Sequence, residues 1–263
     1  ISICRLEPVS ITSTATLPSP PFSSQLTVYF VLRRATTAFF AAGMDTALGS
    51  MLSKKIKIFV ALSPVTYLVH SGSVLLDVLS KFHLSEALMK YFPYGILDGS
   101  AAEDAFEELI CKLTFGELCK VSVDAVCGCA PTDSKKQIER LVTHFPAGTS
   151  VKDFNQYNQF LESSPPFFGY YNYTEEQNLE KYGQRSAPQF NISNFNLGIP
   201  VAFFRGDNDL LVASKDFERF RAKFPNSTVV HERVYRSMSH VSWYVATENI
   251  AKVYLSDLLQ VIE

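Results

Sequence analysis

The sequence predicts an α/β protein, with a parallel sheet interrupted by a large, mainly helical insertion. Three observations carry that expectation. Short apolar runs rich in β-branched and aromatic residues recur at Leu26–Val31 (LTVYFV), Ile58–Leu62 (IFVAL), Ile199–Phe204 (IPVAFF) and Ser227–Tyr235 (STVVHERVY). Stretches with helical periodicity follow these runs. Finally, residues 66–195 break the alternation with amphipathic stretches and aromatic loops. Strand, helix, strand, insertion, strand, helix, strand, helix is an alternating order, and alternation implies parallel strands joined by right-handed crossovers.

In chain order, residues 1–25 are rich in Ser, Thr and Pro, including Pro18-Ser19-Pro20-Pro21, and are expected to form a leader outside the fold. No basic stretch there leads into an apolar one, so they do not read as a signal peptide. After the first strand, Thr36 can cap a helix over Ala38–Met51, and Lys54–Lys57 reads as a basic hinge. Ile58–Leu62 is apolar throughout, as parallel strands covered on both faces are. Within the insertion, Ser73–Phe82, Ala101–Leu113 and Lys136–Thr143 read as amphipathic helices, and Ser163–Tyr173 (SSPPFFGYYNY) as a tight aromatic loop. A helix over about Ala213–Lys223 separates the last two strands. A final helix over Thr247–Ile262 places Ile250, Val253, Leu255, Leu258, Leu259 and Ile262 in the three-four rhythm of a packed helix. The expected segmentation is a leader at 1–25, sheet at 26–65, a cap at 66–195 and sheet again at 196–263.

Composition narrows the function. The chain has 263 residues with 24 Lys and Arg against 26 Asp and Glu, so no basic excess exists to neutralise phosphates, and nucleic acid is an unexpected partner. Its 47% apolar content and mean hydropathy of +0.06 argue for a packed core. The 21 Phe and 12 Tyr suggest a deep core, an apolar ligand surface, or both. None of the five cysteines (Cys4, Cys111, Cys119, Cys127, Cys129) forms a C-x-x-C pair, so no metal site is expected, nor any cofactor. The four clustered cysteines fit either a local disulfide or buried free thiols. Three glycosylation sequons begin at Asn172, Asn191 and Asn226 and lean towards a secretory route.

In open parallel sheets, reactive groups sit in loops at the carboxyl ends of strands. Here the third run is followed by Gly206-Asp207-Asn208-Asp209 and the fourth by Ser237-Met238-Ser239-His240. An acid after one strand and a histidine after the next is the tail of a Ser…Asp…His order. Asp207 and Asp209 are both candidates, and both are also ordinary turn residues. His70, His83, His144 and His231 have no comparable setting and are expected to be structural.

These segments together resemble the acid lipase family, the gastric and lysosomal acid lipases of the α/β-hydrolase fold. Lys54–Pro64 (KKIKIFVALSP) is similar to the strand and turn leading into that family's cap. His144–Val151 (HFPAGTSV) matches its H-x-P-A-G-T-S-V cap motif, and Phe204–Asp209 and Met238–His240 resemble its acid and histidine segments. The resemblance covers the chain from about Leu26 to its end. It implies the C-terminal half of a hydrolase sheet with a helical cap, and hydrolysis of apolar lipid esters such as acylglycerols or steryl esters. It also implies transient contact with a lipid droplet or membrane surface, and a secreted or lysosomal location. Asp209 would be the acid, by its position relative to Gly206, and His240 the base. Cys111 and Cys119 would form the cap disulfide, with Cys127 a free thiol and Cys129 an extra one.

One part of the family pattern is missing. The nucleophile should lie in a G-H-S-Q-G elbow, but the matching stretch reads Leu32-Arg33-Arg34-Ala35-Thr36, and the serine position falls on Arg34, or on Arg33 in an alignment shifted by one. Neither arginine can attack a carbonyl, and Leu32 and Thr36 crowd a turn built for glycine. The resemblance therefore admits three readings: an incomplete or mis-spliced copy of an active lipase, a catalytically dead lipase-like protein that binds lipid or a partner, or an active esterase with an unconventional nucleophile.

Overall fold

The computed structural model describes residues 26–31, 46–81, 117–142, 150–192 and 198–263. Four strands, β1 (Leu26–Val31), β2 (Ile56–Leu62), β3 (Val201–Gly206) and β4 (Val229–Tyr235), pair in parallel in the spatial order β1-β2-β3-β4. Each strand thus lies beside its neighbour in the chain, and Val31, Leu62, Phe204 and Tyr235 line up at or near the carboxyl edge.

The apolar continuity of β2 and β3 has its expected physical origin, which is burial on both faces. Side chains alternate across the sheet. Phe59, Ala61, Val201 and Phe203 enter one apolar cluster, and Ile58, Val60, Leu62, Ala202 and Phe204 enter another. The first cluster is covered by α7 (Ser214–Arg221), through Phe217 and Phe220, with Phe224 just beyond, and it runs on into the insertion. Phe203 is its hub, with ring centroids 5.4, 5.7 and 5.5 Å from Phe217, Phe220 and Phe224. The second cluster is covered by Trp243 of α8 (Ser242–Val245) and by α9 (Glu248–Ile262) through Tyr254, Ile250 and Leu258. β4 lies at the edge of the sheet among the described residues, with Val230 and Val234 exposed, which accounts for its broken apolar pattern.

Several boundaries move. Lys54–Lys57 is no hinge. The helix α1 (Thr46–Lys55) runs directly into β2, with Lys54 and Lys55 in its last turn, where cations meet the helix dipole favourably. The strand expected at Ser227 begins at Val229, after a short 3₁₀ turn over Asn226–Thr228. The stretches 38–45 and 101–113 lie outside the described residues.

Between β2 and β3 the described residues hold five helices: α2 (Val74–Lys81), α3 (Glu117–Cys127), α4 (Lys135–Val142), α5 (Val151–Leu161) and α6 (Glu175–Tyr182). Sequence reading leaves α3, α5 and α6 unnamed, although two carry clear starts. Ser150 caps α5 by accepting from Asp153 N, and Thr174 caps α6 by accepting from Gln177 N. Ser163–Tyr173 is irregular, as expected, and its Gly169 bridges to Gln189. No described helix is long and apolar enough to cross a membrane.

Candidate active site

The loop after β3 and the loop after β4 meet at the carboxyl edge of the sheet, and their approach is set by glycine. At Gly206 a Cβ would lie 2.1 Å from the Met238 carbonyl oxygen, so only the missing side chain lets the two loops touch. There Asp207 N donates to Tyr235 O at 3.1 Å, and Asn208 N donates to Met238 O at 3.0 Å.

The structure separates the two candidate acids. Asp207 spends its carboxylate on the turn: Ser237, at φ 60°, donates its N–H to Asp207 Oδ1 at 2.6 Å. Asp209 instead faces His240, with Oδ2 2.9 Å from His240 Nδ1. Its other oxygen accepts from Leu211 N and Val212 N, each at 2.9 Å. A carboxylate fixed by two backbone N–H groups holds an imidazole firmly. With side chains 1% and 3% exposed, Asp209 and His240 form a buried pair, joined through the Nδ1 side of the ring, with Nε2 as the ring's other nitrogen.

The insertion closes over this pair from the end of α3. The Cys127 carbonyl accepts from His240 N at 3.0 Å and from Leu210 N at 3.3 Å, so one oxygen ties the acid loop to the histidine loop. Gly128 follows at φ 101°, against Asn208. The Cys127 thiol is buried and free. Burial first, and then the charges of Asp209 and Asp133, push its pKa far up, so it stays protonated. Asp133, between α3 and α4, is the second buried carboxylate here. It accepts from Ser239 Oγ at 2.9 Å and Ser242 Oγ at 2.5 Å, and desolvation raises its pKa despite those bonds.

No protein-family model matches the chain. Curated relatives do. Human gastric triacylglycerol lipase is 26% identical over 221 residues, 80% of this chain and 52% of that one. The bovine gastric enzyme is 25% identical over 250 residues, 87% and 59% of the two chains. Human lipase member K is 24% identical over 252 residues, 92% and 59%. The chain is a homologue of the gastric lipases. It spans only a little over half the length of these relatives. Among solved structures, a soluble variant of yeast monoglyceride lipase in complex with a substrate analogue aligns with a TM-score of 0.47 and 15% identity, over 83% of this chain and 57% of that one.

The other candidates in this lipase homologue fall as follows. Arg33, Arg34 and Cys111 lie outside the described residues, as do residues 143–149 of the cap motif. Cys119 is disulfide-bonded, and Cys127 and Cys129 are free. Asn172, Asn191 and Asn226 are all exposed. Among the described residues no cluster of His, Cys, Asp or Glu could hold a metal ion. His70 has a structural setting, with a partner that no local pattern marks. The buried Asp216 of α7 accepts from both His70 N at 2.8 Å and His70 Nδ1 at 2.7 Å, tying the loop after β2 to that helix.

Among the described residues, several aromatic side chains of the insertion serve as packing. Phe160, Phe168 and Phe190 are buried in the same cluster as the sheet residues, with Phe168 5.7 Å from Phe160 and 5.0 Å from Phe190. A pocket of about 610 Å³ beside α5 is lined by polar and apolar surface alike, with Gln159, Glu162 and Gln184 beside Pro165, Phe167 and Pro188. Sequence reading missed Asp133 altogether, since a lone Asp in Pro131-Thr132-Asp133-Ser134 looks like any turn residue.

Proposed function

We propose that this chain is the acid-, histidine- and cap-bearing portion of a lipase-like carboxylic ester hydrolase acting on apolar lipid esters, acylglycerols or steryl esters. The buried Asp209–His240 pair on adjacent strand-end loops carries the reading. The kinship with proteins named as gastric triacylglycerol lipases supports the substrate class.

In this mechanism a serine at the elbow position attacks the ester carbonyl while His240 Nε2 takes its proton. Asp209 steadies the resulting imidazolium. The tetrahedral adduct collapses as His240 returns the proton to the departing alcohol, and water then releases the fatty acid by the same route. Asp209 orients and His240 moves the proton; the elbow serine's position falls here on Arg34, or on Arg33 in an alignment shifted by one. Residues 66–195 act as the cap between two parts of the hydrolase sheet, following a leader at 1–25. Cys111 is the partner of Cys119, and Asn172, Asn191 and Asn226 accept glycans. The whole protein travels a secretory route, to the exterior or to lysosomes, and works transiently at a lipid droplet or membrane surface.

Arg33-Arg34 in place of the elbow favours one alternative: a catalytically dead, lipid- or protein-binding relative. A fluorophosphonate probe, which reacts only with an activated serine, separates the two. The chain itself should not label. A variant restoring Gly-His-Ser-Gln-Gly over positions 32–36 should label, His240→Ala in that background should abolish labelling, and Asp209→Asn should slow it by about 10⁴-fold. Labelling indifferent to His240→Ala would overturn the mechanism. A restored elbow that never labels would leave the binding reading in its place.

A further inference from the structure

The hydrogen bond from Asp209 fixes one atom of the His240 ring. It does not by itself fix the backbone from which the ring hangs, and that backbone is gripped from the other side. Asp133 is 7% exposed, and Ser239 and Ser242 are fully buried. Ser239 Oγ donates to Asp133 Oδ2 at 2.9 Å and Ser242 Oγ to Asp133 Oδ1 at 2.5 Å. Ser242 Oγ in turn accepts from Ser239 N at 2.7 Å, closing a ring around His240 and Val241.

The same strip of insertion holds the loop at further points. Thr132 Oγ1 donates to Ser237 O at 2.5 Å, and Ser134 N to Val245 O at 2.7 Å. Thr132 O accepts from Thr247 N at 2.8 Å, and Cys127 O accepts from His240 N at 3.0 Å. Residues 127–134 therefore clamp 237–247 along their length, and one carboxylate sits at the centre, holding the residue before His240 and the residue two after it.

A buried carboxylate destabilises a fold unless its oxygens are satisfied, so its presence here calls for a reason. A neutral side chain could fill the same space. What a carboxylate offers is two acceptor oxygens in one rigid plane, able to take two hydroxyl donors at once. That fixes the spacing of Ser239 and Ser242, and with it the direction in which the intervening His240 leaves the main chain.

We propose that Asp133 is the positioning residue for His240, holding Ser239 and Ser242 so that the imidazole stays on Asp209. This rests on the reading of Asp209–His240 as the proton-handling pair. It assigns the insertion a second role: besides covering the site, it aims the base.

The test uses the full chain labelled with ¹⁵N-histidine, following exchange of the His240 Nδ1 proton by NMR beside a thermal melt. Asp133→Ala should speed that exchange by about tenfold, the factor expected when a hydrogen bond to a charged group is lost. Asp133→Asn, which keeps the shape and one acceptor, should restore most of the protection. Ser239→Ala and Ser242→Ala should each give part of the effect. Phe160→Leu, a buried change elsewhere in the insertion, should lower the melting temperature and leave His240 exchange alone. If Asp133→Ala melts early but exchanges at the parent rate, Asp133 is merely structural and the proposal falls. Should Asp133→Ala fail to fold, parent-rate exchange in both serine variants overturns it equally. Asp209→Asn is the separate control: if that change leaves His240 unaltered, the underlying reading of the pair fails instead.

Discussion

Replacing Gly128 by alanine tests how the insertion is seated on the carboxyl edge of the sheet. Two costs meet at this position. The backbone sits at φ 101°, where an L side chain is strained by about 1–2 kcal/mol. The new Cβ would also lie 1.8 Å from Asn208 O and 3.2 Å from Leu210 N, both backbone atoms of the acid loop. Backbone cannot swing aside as a side-chain tip can, so the loop must shift, at a further cost of about 1–3 kcal/mol. The Cys127 O bonds to Leu210 N and His240 N, at 3.3 and 3.0 Å, stretch with it. The sum is about 3 kcal/mol, and at about 2–4 °C per kcal/mol for a chain of this size the melting temperature should drop by roughly 6–12 °C. Gly183 is the control. It caps α6 at φ 69°, and a Cβ there would meet nothing within 4 Å, so Gly183→Ala carries the strain without the clash and should lose about 1 kcal/mol. Differential scanning fluorimetry on the two variants is sufficient. Equal losses would refute the argument, because they would show that the contact between Gly128 and the acid loop contributes nothing.

Three other outcomes follow from the packing and the charges. Iodoacetamide should modify exposed Cys129 in the native chain and spare Cys127, whose thiol is buried and held protonated, until denaturant is added; peptide mass spectrometry reads both sites. Asp133 has a folded-state pKa raised by desolvation, so its contribution is fully present below the unfolded value of about 3.9 and is lost as pH rises through the raised one. Asp133→Asn should therefore gain stability relative to the parent between about pH 3.5 and pH 7 in urea melts, and a constant difference would contradict the sign. Phe203→Ala empties the centre of the ring cluster formed with Phe217, Phe220 and Phe224 and should cost about 3–5 kcal/mol in the same melts, with a loss under 1 kcal/mol contradicting it.

The strands were legible because burial on both faces writes itself as an unbroken apolar run. Ile58–Leu62 and Val201–Phe204 could hardly be anything else in an alternating chain. The boundary errors have local causes. Lys54–Lys57 looks like a hinge because charges usually mark loops, yet two of those lysines lie in the last turn of a helix and Lys57 donates to the carbonyls of Ile262 and Glu263 at the far end of the chain. Such a partner 205 residues away leaves no trace in a window of neighbours. The helices α5 and α6 had readable caps in Ser150 and Thr174, and α5 also shows an apolar stripe at Val151, Phe154, Tyr157 and Phe160, whereas α6 is rich in Glu and its apolar signal is thin.

For the site, residue types and order were enough to bring Asp207, Asp209 and His240 forward, since reactive groups gather after strands and each strand announces its own end. Choosing between the two acids on physical grounds needed three dimensions. Two residues apart in one turn, they differ in which way they point: Asp207 is taken by Ser237 N, and Asp209 by His240. Asp133 lay beyond any reading of order or spacing. Its role exists only because the insertion folds back across 106 residues to meet Ser239 and 109 to meet Ser242. Sequence by itself thus determined the class of fold, the strands and the loops where chemistry gathers, because periodicity and strand ends are local properties of the chain. Family resemblance pointed to Asp209, but on physical grounds only tertiary structure decided which carboxylate meets the histidine and which one meets the serines on either side of it, because hydrogen-bond partnership is decided by position in space.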